Sequence, residues 1–318
     1  MKYIDLHCDT ILKSYMDGIG LRENNVHLDL IRSKQAGLMV QFMAIFTPTH
    51  KVAEDYSVTL GPDEFFRDCL KAYHRELDAN KDLIAPAFSL QDILDNDSAG
   101  RMSSVLTIED GAIVDGRMES LDELHEAGVR LMTLTWNYEN CFGFPQSKDE
   151  EAMKLGLKPF GIDAVSHMNK LGIIIDVSHL SEGGFDDVAK HSDKPFTASH
   201  SCCTALCDVS RNLTDRQLKL LGDKGGVCGI NFAPLFLEKD SMFAKTETVV
   251  RHAQHIADKA GIDAVAFGSD FDGIPGELEF VGCEGMPQVI DAMCKVFHES
   301  QVEKICSSNA LRLIRESC

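Results

Sequence analysis

The chain is 318 residues long and 44% hydrophobic, with a formal net charge of -19 and a pI near 5.0. That length and apolar share allow a large buried core, while so acidic a field repels nucleic acid and anionic membrane surfaces and excludes them as principal partners. Eleven cysteines, an odd number without C-x-x-C spacing, make no zinc framework and read as the reduced thiols of a cytosolic protein.

Along the chain, short apolar runs rich in β-branched residues alternate with longer stretches of helical periodicity, the pattern of repeated βα units around a parallel sheet. Eight runs are predicted as strands: 3–9, 38–46, 103–109, 129–136, 173–179, 195–200, 226–231 and 264–270, with "LIAPAF" (83–88) as an extra one. Between them, "SLDE" (120–123) and "TDRQ" (214–217) read as capping boxes, and "PFGIDAVSHMNKLG" (159–172) carries Pro early and Gly at its end. The stretch 301–315 reads as a closing helix. No repeat, low-complexity tract or linker divides the sequence, so a single (β/α)8 TIM-barrel domain over 1–318 is expected. The first strand starts too early for a leader and no run of about 18 apolar residues occurs, which predicts a cytoplasmic protein with no membrane partner.

A barrel builds its site from the loops at the C-terminal ends of its strands, so acidic and imidazole residues ending the predicted runs are the candidates. In "DLHCDT" (5–10), His7 and Asp9 fall on one face of a strand and Cys8 on the other. Glu109 ends its run in "LTIEDG", His179 in "IIIDVSH", His200 in "FTASHS" and Asp270 in "AFGSDFDG". Converging on one rim, these groups would repel or desolvate one another without a cation among them, and neutral imidazole with carboxylate suits Zn²⁺ or a similar divalent ion. Five ligands exceed one tetrahedral site with an open position but suit two ions. Glu109 is then the bridge, His7 and Asp9 hold one ion, His179 and His200 hold the other, and a bridging hydroxide is the nucleophile. Asp270 is left to accept a proton from that nucleophile and deliver it to the leaving group.

Other polar residues have quieter readings. Asp272, beside Gly273, is a loop-structuring residue. His252 and His255, three apart in a helical stretch, are packing or surface residues of an exterior helix, as are His125, His167 and His191 in theirs.

The motifs H-x-D at the start, then "TIEDG", "LTW", "GLKPFG…MNKLGIIIDVSH", "ASHS", "SRNLTD" and "GSDFDG", in that order, resemble the membrane (renal) dipeptidase family of zinc peptidases. The likeness runs from residue 5 to "SNALR" near the end. It implies a (β/α)8 barrel related to metal-dependent amidohydrolases, two zinc ions, and hydrolysis of dipeptides, including those with a D-residue at the C-terminal position. It further implies that His7, Asp9, Glu109, His179 and His200 are the five metal ligands with Glu109 bridging, and that Asp270 handles the proton. By the same resemblance Arg211 in "SRNLTD" binds the free carboxylate of the substrate, a bidentate pairing that a guanidinium fork suits.

Two departures stand out. Where renal members carry a substrate-contacting His after "LT", this chain has Trp136 and Asn137, which can donate a hydrogen bond to a developing oxyanion but cannot carry a proton. The charged loop 138–158, with Asn140 and Gly143, is expected to shape the pocket above them. Renal relatives are exported and lipid-anchored, whereas the sequence here predicts a cytoplasmic enzyme, with manganese or cobalt able to replace zinc and room for a homodimer. Two rivals remain: another binuclear amidohydrolase acting on a lactam, lactone, cyclic amide or phosphoester, and a non-catalytic barrel that only binds. Arg211 separates the first, because a neutral ester does not need it. Retention of Asp270 speaks against the second.

Overall fold

The computed structural model describes residues 1–49, 53–54 and 58–318. The strands of its main sheet are β1 (Tyr3–Cys8), β2 (Leu38–Phe46), β3 (Ile84–Pro86), β4 (Met102–Glu109), β5 (Val129–Thr133), β6 (Ile174–Asp176), β7 (Thr197–Ser201), β8 (Val227–Ile230) and β9 (Val265–Phe267). The pairing order is β2, β1, β9, β8, β7, β6, β5, β4, every pair parallel, and β4 then pairs back to β2 from Val40↔Ser103 to Phe46↔Glu109. Eight strands therefore close a barrel and leave no edge in it. Near-continuous apolar runs such as "LMVQFMAIF", buried at every position of β2, are what a parallel strand covered on both faces requires.

The extra strand is also present: β3 pairs with the start of β4 (Ile84↔Met102 to Pro86↔Ser104), where β5 joins only from Leu106 onward. Helices fill the crossovers. Helix Pro159–Leu171 opens on its Pro and ends on Gly172 at φ 84, a left-handed position that glycine takes without a Cβ penalty. Thr214 makes the expected capping box with Gln217 at the start of helix Asp215–Asp223. The other expected box is absent. The turn at Asp115 and Gly116 starts helix Met118–Glu126 with Arg117 at its N-cap, so Ser120 falls inside the helix, buried beside Leu121. The C-terminal segment is helical over Glu299–Glu303 and Asn309–Ser317, joined by a π-turn at Lys304–Ser308. Its Leu313 and Ile314 pack with Ile4, Val40, Leu131, Ile174 and Val227, so residues from strands around the barrel share one apolar cluster with the last helix. Among the described residues, no helix is long and apolar enough to cross a membrane.

Candidate metal centre

The barrel gathers the candidate side chains at the ends of five strands. His7 lies in β1 with Asp9 just after it, Glu109 ends β4, and His200 lies in β7. His179 and Asp270 each stand three residues past a strand, after β6 and β9, and both have positive φ, 65 and 61. This left-handed turn at non-glycine residues takes the chain out of the ladder early and re-aims the two side chains, a conformation that costs energy and clusters at functional sites.

Glu109 stands between two groups of imidazoles. Its Oε2 faces His7 Nε2 at 3.7 Å, while its Oε1 faces His179 Nε2 at 3.2 Å and His200 Nε2 at 3.5 Å. His7 Nε2 also lies 3.6 Å from Asp9 Oδ2 and 3.9 Å from Asp270 Oδ1, and the His7 and His200 rings stack with centroids 3.8 Å apart. Two sets, His7–Glu109–His200 and His7–Asp9–Asp270, each present ligand atoms within 4.8 Å of one another. A cation has donors here of the right kind and spacing.

The hydrogen bonds behind these residues fix what they present. Ser199 Oγ donates to Asp176 Oδ2 at 2.5 Å and has one proton to give, so its 2.7 Å contact with His200 Nδ1 receives that nitrogen's N–H. Asn137 Oδ1 accepts from His179 Nδ1 at 3.1 Å. Both rings therefore turn Nε2 lone pairs inward, where the two nitrogens stand 3.1 Å apart beside a carboxylate oxygen. Neither ring brings a proton to this meeting of nitrogens and carboxylate oxygen. His7 has neither ring nitrogen hydrogen-bonded although it is fully buried. Orphaned buried nitrogens and opposed lone pairs are what a bound cation satisfies.

Charge in this cluster is correspondingly displaced. Burial opposes charge on His7, yet the carboxylates of Glu109, Asp9 and Asp270 outweigh it and push its pKa up to about 10. Burial raises Glu109 well above the usual carboxylate range against the pull of His7, and raises Asp270 to about 7. It lowers His179 and His200 far below an ordinary imidazole, helped by the Arg211 and His7 charges.

Several residues that hold this geometry escaped the sequence reading. Asn231 donates Nδ2 to Asp270 Oδ2 at 2.8 Å, leaving Oδ1 turned to the cluster. Asp176 takes hydrogen bonds from Thr133 Oγ1 and from the backbone N–H groups of Ser178 and Ser199, and Asp5 takes them from Ser269 N and Oγ. The one available signal was parity, since Asp5 shares a strand face with His7.

Arg211 is buried, bonds Ser201 Oγ and the His200 carbonyl at 2.9 Å each, and stacks over Phe236, but its Nε has no acceptor. Trp136 packs on Phe46 with ring centroids 4.8 Å apart and stands 6.1 Å from His179. Two cavities meet over the cluster. One, of about 430 Å³, holds Asp9, Glu109, Asp270 and Trp136; the other, of about 1060 Å³, holds Arg211 together with Gln146, Ser147, Lys148 and Lys154 from the 138–158 loop. Asn137 and His179 lie on the rim they share. Asp272 does structure its loop, accepting from His27 N and Thr10 Oγ1. Gly273 is confined: a Cβ there would stand 2.1 Å from Asp9 Oδ2 and 2.7 Å from Asp270 Oδ1.

His252, His255 and His167 lie outside the cluster. His252 is buried, accepting from Cys203 N and meeting the Leu237 carbonyl, and burial lowers its pKa to about 4. His255 and His167 pair with Asp215 and Asp122.

Fold and donor set together define a barrel hydrolase of the metal-dependent kind. Residues 1–317 match the family model of the membrane dipeptidases, peptidase family M19, and the chain belongs to that family. Dipeptidase tcpJ of Claviceps purpurea is 30% identical over 297 residues, 91% of this chain and 69% of its own. A metallopeptidase from Rhodobacter sphaeroides, solved with a phosphinate mimic of the dipeptide L-Ala-D-Ala, superposes with TM-score 0.89 at 27% identity, covering 100% of this chain and 99% of that one. A further M19 structure, the dipeptidase AC, matches with TM-score 0.89 at 28% identity, covering 100% and 98%.

Proposed function

We propose that this metallopeptidase hydrolyses dipeptides, including those with a C-terminal D-residue, on a pair of divalent cations, zinc in the first instance. His7 and Asp9 would hold one ion and His179 and His200 the other, with Glu109 shared between them. The observation that carries the reading is the opposed arrangement of the His179 and His200 Nε2 atoms beside Glu109 Oε1, with His7, whose ring nitrogens make no hydrogen bond, at the other oxygen. When bound, two such ions supply a water acidified toward neutral pH and a Lewis acid for the scissile carbonyl.

The side chains do the rest. Arg211 receives the substrate carboxylate, and its unsatisfied buried Nε supports an anionic occupant over a neutral lactone. Asp270 takes the proton of the attacking water on Oδ1 and passes it to the departing amine, the two halves of general base and general acid action. Asn231 keeps Oδ2 occupied so that Oδ1 is the oxygen offered. Asn137 orients His179 and keeps its amide nitrogen for the oxyanion, with the Trp136 indole beside it. The L-Ala-D-Ala mimic bound by the Rhodobacter relative supports a D-residue at the C-terminal position.

The test is hydrolysis of a panel of L-L and L-D dipeptides by purified protein of measured metal content. Expected are about two ions per chain and turnover abolished by chelation and restored by zinc. Fewer than about one ion per chain, or turnover indifferent to the chelator, overturns the reading.

A further inference from the structure

We infer that the 430 Å³ cavity is the seat of the substrate's N-terminal side chain and selects dipeptides whose first residue is large and apolar. The inference rests on the dipeptidase reading and adds to it which end of the substrate each cavity takes and what that end must be.

Charge decides the orientation. A dipeptide carries its carboxylate on one side of the scissile bond and its α-ammonium on the other. The smaller cavity offers a carboxylate no anchor of its own: Lys13, paired with Asp17, is the only lysine or arginine among its described lining residues. Arg211, the buried guanidinium with an unpaired N–H, lies instead in the larger cavity, across the rim of Asn137 and His179. The carboxyl-terminal residue therefore occupies the larger cavity and the amino-terminal residue the smaller one.

Above its acidic floor, the smaller cavity is walled by Leu12, Met16, Phe46, Phe65, Trp136 and Ile274. The charged residues toward its mouth are committed to each other, Lys13 Nζ to Asp17 Oδ2 at 2.9 Å. A charged side chain entering here loses water and meets, among the described residues, only charged groups that already have partners, whereas Leu, Met or Phe buries surface against aromatic and aliphatic walls. The larger cavity mixes polar residues, Gln146, Ser147, Lys148, Thr204 and Asp208, with apolar Met153, Val209, Leu235 and Phe236, so it can seat a polar or an apolar second residue.

The experiment compares kcat/KM of the zinc-loaded enzyme for Leu-D-Ala, Phe-D-Ala, Gly-D-Ala, Asp-D-Ala and Lys-D-Ala, together with calorimetric Kd values for the phosphinate mimics of the Leu and Asp members. Expected is an advantage of at least about tenfold for Leu and Phe over Gly, Asp and Lys, paralleled in the two Kd values. Met16→Glu, at a half-exposed position outside the metal cluster, should shrink the Leu-to-Lys ratio by about tenfold. Hydrolysis that is level across the five substrates, or an unchanged ratio in the variant, overturns this inference and leaves the dipeptidase reading standing. No cleavage of any member by protein with full metal content overturns both.

Discussion

The two sides of the candidate metal centre are supported differently. On the side built by β6 and β7, each histidine has its Nδ1 occupied, His200 through Ser199 to Asp176 and His179 through Asn137. On the side built by β1 and β9, Ser269 and Asp5 bond each other and the backbone, and His7 keeps two bare nitrogens among Asp9, Glu109 and Asp270. The imidazole side has its tautomers set by protein alone, while on the acidic side three carboxylates crowd one imidazole.

Breaking the acidic side costs most. Asp270→Asn should lower kcat by roughly 100- to 10,000-fold, the range for loss of a positioned proton carrier, while metal content stays near that of the parent. Unchanged turnover would remove Asp270 from proton transfer.

The imidazole side should be the one that acid loosens through its foundation. His252, whose Nδ1 accepts from Cys203 N just beyond β7, has a folded pKa near 4, below the ordinary value of about 6.5. The unfolded chain therefore binds this proton more readily. The stabilisation from a neutral His252 is complete above pH ~6.5, is lost as pH falls toward 4, and amounts to about 3 kcal/mol. Urea unfolding at pH 7 and pH 4 should show His252→Gln losing less stability on acidification than the parent. Equal losses would refute the assignment.

The sharpest comparison is between the two serines. Ser199→Ala strips His200 Nδ1 of its partner and should weaken metal binding by about 10- to 100-fold in a chelator competition. Ser269→Ala touches no imidazole and should cost about 1 kcal/mol of folding stability with little change in metal affinity. Equal effects on affinity would mean that the two sides are not differently supported.

Much of this centre was legible in the chain, because strand parity pairs His7 with Asp9 and a barrel collects the ends of its strands. What stayed hidden has a common cause. Asp176 meets Ser199, and Asn231 meets Asp270, across neighbouring strands, contacts fixed by three-dimensional register rather than by any local pattern. The predicted strands ending at His179 and Asp270 were too long because no periodicity announces a positive φ at a histidine or an aspartate. "SLDE" misled for the opposite reason. The local cap was outweighed by the turn at Asp115 and Gly116, which set the helical phase and buried Ser120.

The confinement of Gly273 bears on any effort to retune this enzyme. With a side chain's first carbon only 2.1 Å from an Asp9 oxygen, the loop after β9 acts as a gauge for the spacing of Asp9 and Asp270. Mutant libraries aimed at new substrates should vary Leu12, Met16 and Ile274 and hold that glycine constant, since even alanine would pry the two carboxylates apart before any new specificity could be selected.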